Sequence, residues 1–266
     1  MEIIKHDHHR ANFTTVMFDF DGTLSLIREG WPEVMIPLMV EELKKTGTGE
    51  SEAELAKIVE EFVMRLNGRQ TIYQMIHLAE EIAKRGGKPE EPLVYKHRYQ
   101  DRLLQRIEGR LQGLASGKVP QDAWTVPGSH DVLEKLKAKG LRLILASGTD
   151  EVFVKREADL LGVAKYFDGR IHGAIDQYTN FSKKIVVDKI VAEEGGSGRG
   201  LIGFGDGFVE IQETGRAGGT PIAVASDEVK REGVNLWKRD RLVGAGAHIV
   251  IGDYRNVDKL LEQLEI

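Results

Sequence analysis

The chain contains no cysteine. Disulfide staples, thiolate metal sites and cysteine nucleophiles are therefore excluded from the outset. No apolar stretch approaches the roughly 20 residues needed to cross a bilayer, and the start lacks the charged-then-apolar pattern of a secretory signal, so cytoplasmic residence is expected. An excess of positive charge is missing too: the formal net charge is -5, with Lys and Arg interspersed among Asp and Glu. Without an extended basic face, neither nucleic acid nor a membrane is an expected partner. What the 266 residues do offer is 41% hydrophobic and 30% charged residues, the balance of a globular chain with room for one large domain or two modest ones. Nothing in the sequence speaks to oligomeric state.

Short apolar or β-branched runs at residues 14–18, 141–146, 200–204, 221–225 and 247–251 read as buried strands. Helical patterns at 131–139, 151–161, 184–194, 210–217 and 257–264 alternate with them. The alternation predicts an α/β domain, a doubly wound parallel sheet with helices on both faces. Between the first strand and the second lies a long segment of different character. Leu55, Ile58, Val59, Phe62, Val63 and Leu66 repeat at helical spacing along 54–66, and similar stripes run through 71–85 and 92–114. The expected organisation is a helical cap at 25–125 inserted into a core made of 1–24 and 126–266, with Val126-Pro127-Gly128 marking the return.

Four stretches carry candidate chemistry. Asp19-Phe20-Asp21-Gly22-Thr23 follows the apolar run Val16-Met17-Phe18, so two carboxylates two positions apart point to one side just beyond a strand, and Gly22 permits a sharp turn. A calcium loop is excluded, because the third ligand and the glutamate at the twelfth position are absent. Ser147-Gly148-Thr149 closes the second predicted strand, where an open α/β sheet places its ligands; Ser147 or Thr149 is equally suited to cap the next helix. Lys183-Lys184 opens a helix whose start faces the same end of the sheet, and a cation there would offset phosphate charge. Asp206 ends another strand, with Glu210 one helical turn later, a hard-oxygen pair suited to Mg2+. Gly195-Gly196-Ser197-Gly198 lacks the Gly-Lys-Ser/Thr ending of a P-loop and reads as a connecting loop. His6-Asp7-His8-His9 is either a metal-ligating cluster or a polar tail.

In order and context these stretches resemble the four motifs of the haloacid dehalogenase (HAD) superfamily, most of whose members are magnesium-dependent phosphatases. The resemblance covers the core and does not reach the cap. It implies that Asp19 attacks phosphorus to form an aspartyl-phosphate, and that Asp21 serves as general acid and then base. It implies phosphate contacts from Thr23, Ser147, Gly148, Thr149 and Lys183, with Lys184 as the neighbouring alternative. Mg2+ is implied as the cofactor, held by Asp19, Asp21 through its backbone carbonyl, and Asp206. Glu210 stands where Asp is more usual, and binds the metal directly or through water. Arg28 and Trp31 fall where a cap hinge would begin and Arg69-Gln70 between two cap helices, which makes them candidates for contact with the substrate. The expected activity is hydrolysis of a small phosphomonoester, a sugar phosphate or phosphoglycolate-like compound. A phosphomutase of the β-phosphoglucomutase kind shares all the core residues and is the alternative. Intact Asp19 and Asp21 argue against a third reading, a non-catalytic binding module.

Overall fold

In the computed structural model, which describes residues 1–5 and 12–266, the apolar run before the paired aspartates becomes an interior strand. The cluster His6-Asp7-His8-His9 lies outside the described residues. Among the described residues the strands are β1 (Glu2–Ile3), β2 (Thr15–Phe18), β3 (Arg142–Asp150), β4 (Ile171–Ala174), β5 (Leu201–Gly205), β6 (Thr220–Val224) and β7 (Ile249–Ile251). They form one sheet in the order β1-β7-β6-β5-β2-β3-β4, parallel throughout except where β1 pairs antiparallel with β7. From β2 the chain runs to one side through β3 and β4, then to the other through β5, β6 and β7. Such a reversal of strand order leaves a crevice at the carboxyl ends of the strands.

The continuous apolar character of β2 follows from cover on both faces: Val16, Met17 and Phe18 are each 0% exposed. Below the end of the strand, the Phe18 ring stacks on Phe204 at 4.8 Å between centroids, and Tyr254 meets both edge-on at 6.4 and 5.8 Å. Each such side chain, fully buried, contributes about 1.5–3 kcal/mol. Together they form a stiff floor under the residues that follow β2 and β5.

The helices are α1 (Pro32–Lys44), α2 (Glu52–Leu66), α3 (Thr71–Lys84), α4 (Pro92–Ala115), α5 (Ser129–Ala138), α6 (Glu151–Leu160), α7 (Lys183–Glu193), α8 (Phe208–Arg216), α9 (Leu236–Gly244) and α10 (Val257–Gln263). Among the described residues, none is long and apolar enough to cross a membrane. Packing divides the chain into two units, Met1–Glu29 with Arg110–Ile266, and Gly30–Gly109. The expected edges at 24/25 and 125/126 are thus displaced toward the middle of the insert. The cause is a set of contacts that tie both flanks to the sheet-bearing unit. Ser25 bridges to Asp21 and Thr125, Leu26 N–H donates to the Trp124 carbonyl at 2.8 Å, and Arg110 donates to the carbonyls of Ile27 and Glu29 at 2.8 and 2.9 Å. The Arg110 guanidinium also lies 4.3 Å from the Trp124 ring centroid.

Within the helical unit, α2 opens on a capping box. The Ser51 hydroxyl accepts from Glu54 N–H at 3.3 Å and Glu54 accepts from Ser51 N–H at 2.8 Å. α1 starts on Pro32 at a position where a missing N–H costs nothing, and buries Met35, Leu38, Met39 and Leu43, which recur at helical spacing.

Candidate active site

Strand register brings the motifs together. Phe18 lies level with Leu145 on one side and Phe204 on the other, so Asp19, Ser147 and Asp206 leave the sheet at neighbouring positions on its carboxyl edge. The Asp19 N–H donates to the Phe204 carbonyl at 2.9 Å, which fixes the start of the loop. Its Oδ1 accepts from Phe20 N–H at 2.8 Å, and its Oδ2 lies 2.8 Å from Lys183 Nζ.

Lys183 is the first residue of α7, whose cap is the Ser182 hydroxyl accepting from Ile185 N–H at 3.2 Å. The same ammonium donates to Glu210 Oε2 at 2.7 Å. The other Glu210 oxygen accepts from Gly207 N–H at 2.5 Å, the contact that opens α8, and the residue is 0% exposed. Lys184 does not join this group. One step along a helix turns the side chain by about 100°, and Lys184 is exposed, paired with Asp188. Lys183 is the lysine at the strand ends.

Burial pushes the Asp19 carboxyl well above the ordinary range; Lys183 opposes the rise, and Glu210 and Asp206 add to it. Asp206 is also raised, by burial against the pull of Lys238. Burial works in the same direction on Glu210, but the charge and hydrogen bond of Lys183 outweigh it and the carboxyl is lowered. Burial alone would lower Lys183, and its two carboxylate partners raise it instead.

Carboxylate oxygens of Asp19, Asp206 and Glu210 lie within 4.8 Å of one another. The Asp21 side chain is not part of that cluster. Five carboxylates, counting Asp21 and Glu228, thus face the two ammonium groups of Lys183 and Lys238. A set of hard oxygen donors with excess negative charge fits a divalent cation such as Mg2+.

Lys238 on α9, with Ser226 and Glu228, is the part of the site that the sequence did not reveal. Its Nζ donates to Asp206 Oδ2 at 2.8 Å and to Glu228 Oε1 at 2.6 Å, while Ser226 Oγ donates to the Gly22 carbonyl at 2.7 Å. No local signal marks it, because α9 buries only Lys238 and Leu242 and leaves Leu236 and Trp237 exposed. Gly22 has φ +73°, and a Cβ there would run into the Asp206 carboxylate. Gly22→Ala is therefore expected to destabilise the fold by roughly 1–3 kcal/mol of backbone strain, read as a lower thermal midpoint. An unchanged midpoint would show that Asp206 can move aside without loss.

Ser147-Gly148-Thr149 sits where the pairing of β3 with β4 shifts register between Ala146 and Asp150, an irregularity that re-aims side chains at a sheet edge. Ser147 is buried, and its Oγ accepts from Thr149 N–H at 3.1 Å. The Thr149 hydroxyl donates to Asp21 Oδ2 at 2.7 Å. Neither residue caps α6, whose N-cap position is Asp150. Thr23 is buried with no hydrogen-bond partner on its hydroxyl. Asp21 itself keeps 27% of its side chain exposed, and burial raises its carboxyl against the opposing charge of Arg28.

The four residues read as substrate contacts part company. Arg28 belongs to the sheet-bearing unit and turns inward, buried in an ion pair with Glu157. Trp31, Arg69 and Gln70 belong to the helical unit. There Trp31 and Gln70 stand at the N-cap positions of α1 and α3, Gln70 buried, and the Arg69 guanidinium lies 5.9 Å from the Tyr73 ring centroid.

A family model described as a haloacid dehalogenase-like hydrolase matches residues 13–218. No curated protein sequence matches the chain. Among solved structures, a predicted phosphoglycolate phosphatase from Haemophilus somnus aligns with a TM-score of 0.60 and 16% identity, over 94% of this chain and 98% of its own. A predicted phosphatase from Clostridium acetobutylicum gives 0.60 and 18%, over 94% and 99%. A β-phosphoglucomutase from Clostridium difficile gives 0.62 and 14%, over 95% and 97%. At these identities the likeness is one of fold.

Proposed function

Because the chain belongs to the haloacid dehalogenase-like hydrolases, we propose that it is a Mg2+-dependent phosphatase acting on a small phosphomonoester, a sugar phosphate or phosphoglycolate-like compound. One observation carries the reading: Asp19 is held against Lys183 and beside Asp206, with the partly open carboxyl of Asp21 two residues on. Asp19 is the nucleophile. Asp21 protonates the leaving oxygen and then takes a proton from the attacking water. Lys183, the Ser147 hydroxyl and the backbone amides at Ser147-Gly148-Thr149 hold the phosphate oxygens, with Thr23 beside them, since positioning and charge stabilisation supply most of the catalysis in phosphoryl transfer. Bound Mg2+, held by Asp19, Asp206 and the Asp21 carbonyl, with Glu210 reaching it directly or through water, would offset the repulsion between a carboxylate and an anionic phosphate. Trp31, Arg69 and Gln70 are the proposed contacts for the leaving group. The substrate class draws on the phosphoglycolate phosphatase and β-phosphoglucomutase names among proteins of like fold.

The test is phosphate release from a panel of sugar phosphates, phosphorylated short acids, nucleotides and p-nitrophenyl phosphate, with Mg2+ and with a chelator. Release that requires Mg2+ is expected, and removal of the ion should cost at least roughly a hundredfold, as befits a group that stabilises transition-state charge. Release undiminished by chelator would overturn the metal assignment. Isomerisation of a sugar phosphate without net release would favour the mutase reading, whose core residues are the same.

A further inference from the structure

Behind Asp21 lies a buried ion pair that the chemistry above does not use. Arg28 is 5% exposed and Glu157, on α6, 1%. Arg28 Nε lies 3.2 and 3.0 Å from the two Glu157 oxygens, and Nη2 lies 2.7 Å from Oε1. The guanidinium is further confined by the Phe153 ring, 5.6 Å to its centroid. The same Arg28 Nε is 3.9 Å from Asp21 Oδ1, within ionic range but beyond hydrogen-bond reach. That Oδ1 is buried and has no hydrogen-bond partner, whereas Oδ2 accepts from the Thr149 hydroxyl. A buried oxygen without a donor has lost its water and gained nothing in return. Arg28 could relieve the cost by a small shift, and Glu157 holds it away.

We propose that Glu157 is a positioning residue: it diverts Arg28 from Asp21, so that the Asp21 carboxyl is tethered by Thr149 alone and can turn as it delivers and recovers a proton. This rests on the phosphatase reading. In the first half-reaction an Asp19 oxygen bonds to phosphorus as the bond from phosphorus to the ester oxygen breaks; the electron pair leaves with that oxygen, which takes the proton from Asp21. In the second, water oxygen bonds to phosphorus, a water proton passes to Asp21, and the bond from phosphorus to Asp19 breaks, which restores both carboxyl groups. A guanidinium bonded to Oδ1 would clamp Asp21 at both oxygens and oppose each transfer.

The experiment compares kcat/KM for wild type, Glu157→Gln and the double variant Glu157→Gln/Arg28→Met. The substrates are the alkyl phosphomonoester that wild type cleaves fastest and p-nitrophenyl phosphate, whose leaving group departs without a proton. Glu157→Gln keeps the shape of the side chain and removes the charge that holds Arg28. It should lose roughly tenfold to a hundredfold on the alkyl ester, a part of the roughly 10²–10⁴-fold that general acid catalysis supplies, and less than about threefold on the aryl ester. The double variant, which lacks the guanidinium, should recover the wild-type alkyl-to-aryl ratio within about threefold. Equal losses on both esters, or a ratio still depressed in the double variant, would overturn the inference. Should Glu157→Gln fail to fold by circular dichroism, Glu157→Asp, which keeps the charge and draws it back from Arg28, takes its place: a loss confined to the alkyl ester is expected, and equal losses on both esters would overturn the inference. A wild-type protein that releases no phosphate from any ester would instead overturn the phosphatase reading.

Discussion

Asp19→Asn is expected to abolish turnover while leaving the fold intact or slightly firmer. The amide cannot attack phosphorus to give a hydrolysable acyl phosphate, and loss of a residue that forms the covalent intermediate costs a thousandfold or more, roughly, in enzymes of this kind. Stability should move the other way. Asp19 is 5% exposed, and its charge sits among those of Asp206 and Glu210, which is why its carboxyl is raised. An asparagine of the same size keeps an oxygen for Phe20 N–H, 2.8 Å away in the native chain, and removes one charge from the crowd. Lys183 retains Glu210 as a partner. Phosphate release and thermal midpoint, measured on the same preparation, test both halves of the argument. Substantial Mg2+-dependent release would sink the nucleophile assignment, and a large fall in midpoint would mean that the Asp19 charge is structural.

Lys183→Met should be among the most destabilising single changes available in the chain. Its ammonium is the shared partner of Asp19 and Glu210, all three buried. Removing one member of a buried ion pair typically costs about 3–5 kcal/mol, because the carboxylates left behind are uncompensated. For a unit of this size that corresponds to a fall of roughly 6–20 °C in thermal midpoint. Lys184→Met is the matched control, since its pairing with Asp188 is exposed and should be worth about 0.5 kcal/mol or less. Differential scanning fluorimetry on the two variants gives the contrast directly. Equal midpoints would show that Asp19 and Glu210 do not depend on Lys183.

Which parts of this molecule were legible in the sequence follows from where the physics is local. The strand before Asp19, the turn at Gly22 and the helix opened by Lys183 each have a signature within a few residues, so their positions at the sheet edge could be read from alternation of strand and helix. The alternation also identified five of the strands. β4, with His172 and Gly173 among its four residues, carries too little apolar pattern; its glycine is needed because a Cβ would strike the backbone of Glu151. Ser147 and Thr149 were weighed as helix caps, yet the Thr149 hydroxyl goes to Asp21, a partner far away in sequence. Lys238 and Glu157 were invisible for the same reason. A charged residue on a polar helix reads as solvated, and only the tertiary fold shows that each is buried against a specific opposite charge. Arg28, a candidate for substrate contact by its place just beyond the first motif, is buried against Glu157, a partner so far away in sequence that no local pattern announces it.

The pinning of both flanks of the insert to the sheet-bearing unit bears on how the chain can be rebuilt. Leu26 bonded to Trp124, Ser25 bridged to Thr125 and Arg110 fastened to the carbonyls of Ile27 and Glu29 bring the two chain crossings side by side before the helical segment begins. The sheet-bearing unit therefore meets the insert as a single closed loop. Replacing residues 30–109 by a linker of about five residues would change the entropy of closing that loop by only about 2.5 kcal/mol, on the logarithmic dependence of closure on length, and in favour of the shorter chain. The helical segment is in this sense a cartridge: both of its ends enter the sheet-bearing unit at one place, so a replacement has a single gap to span.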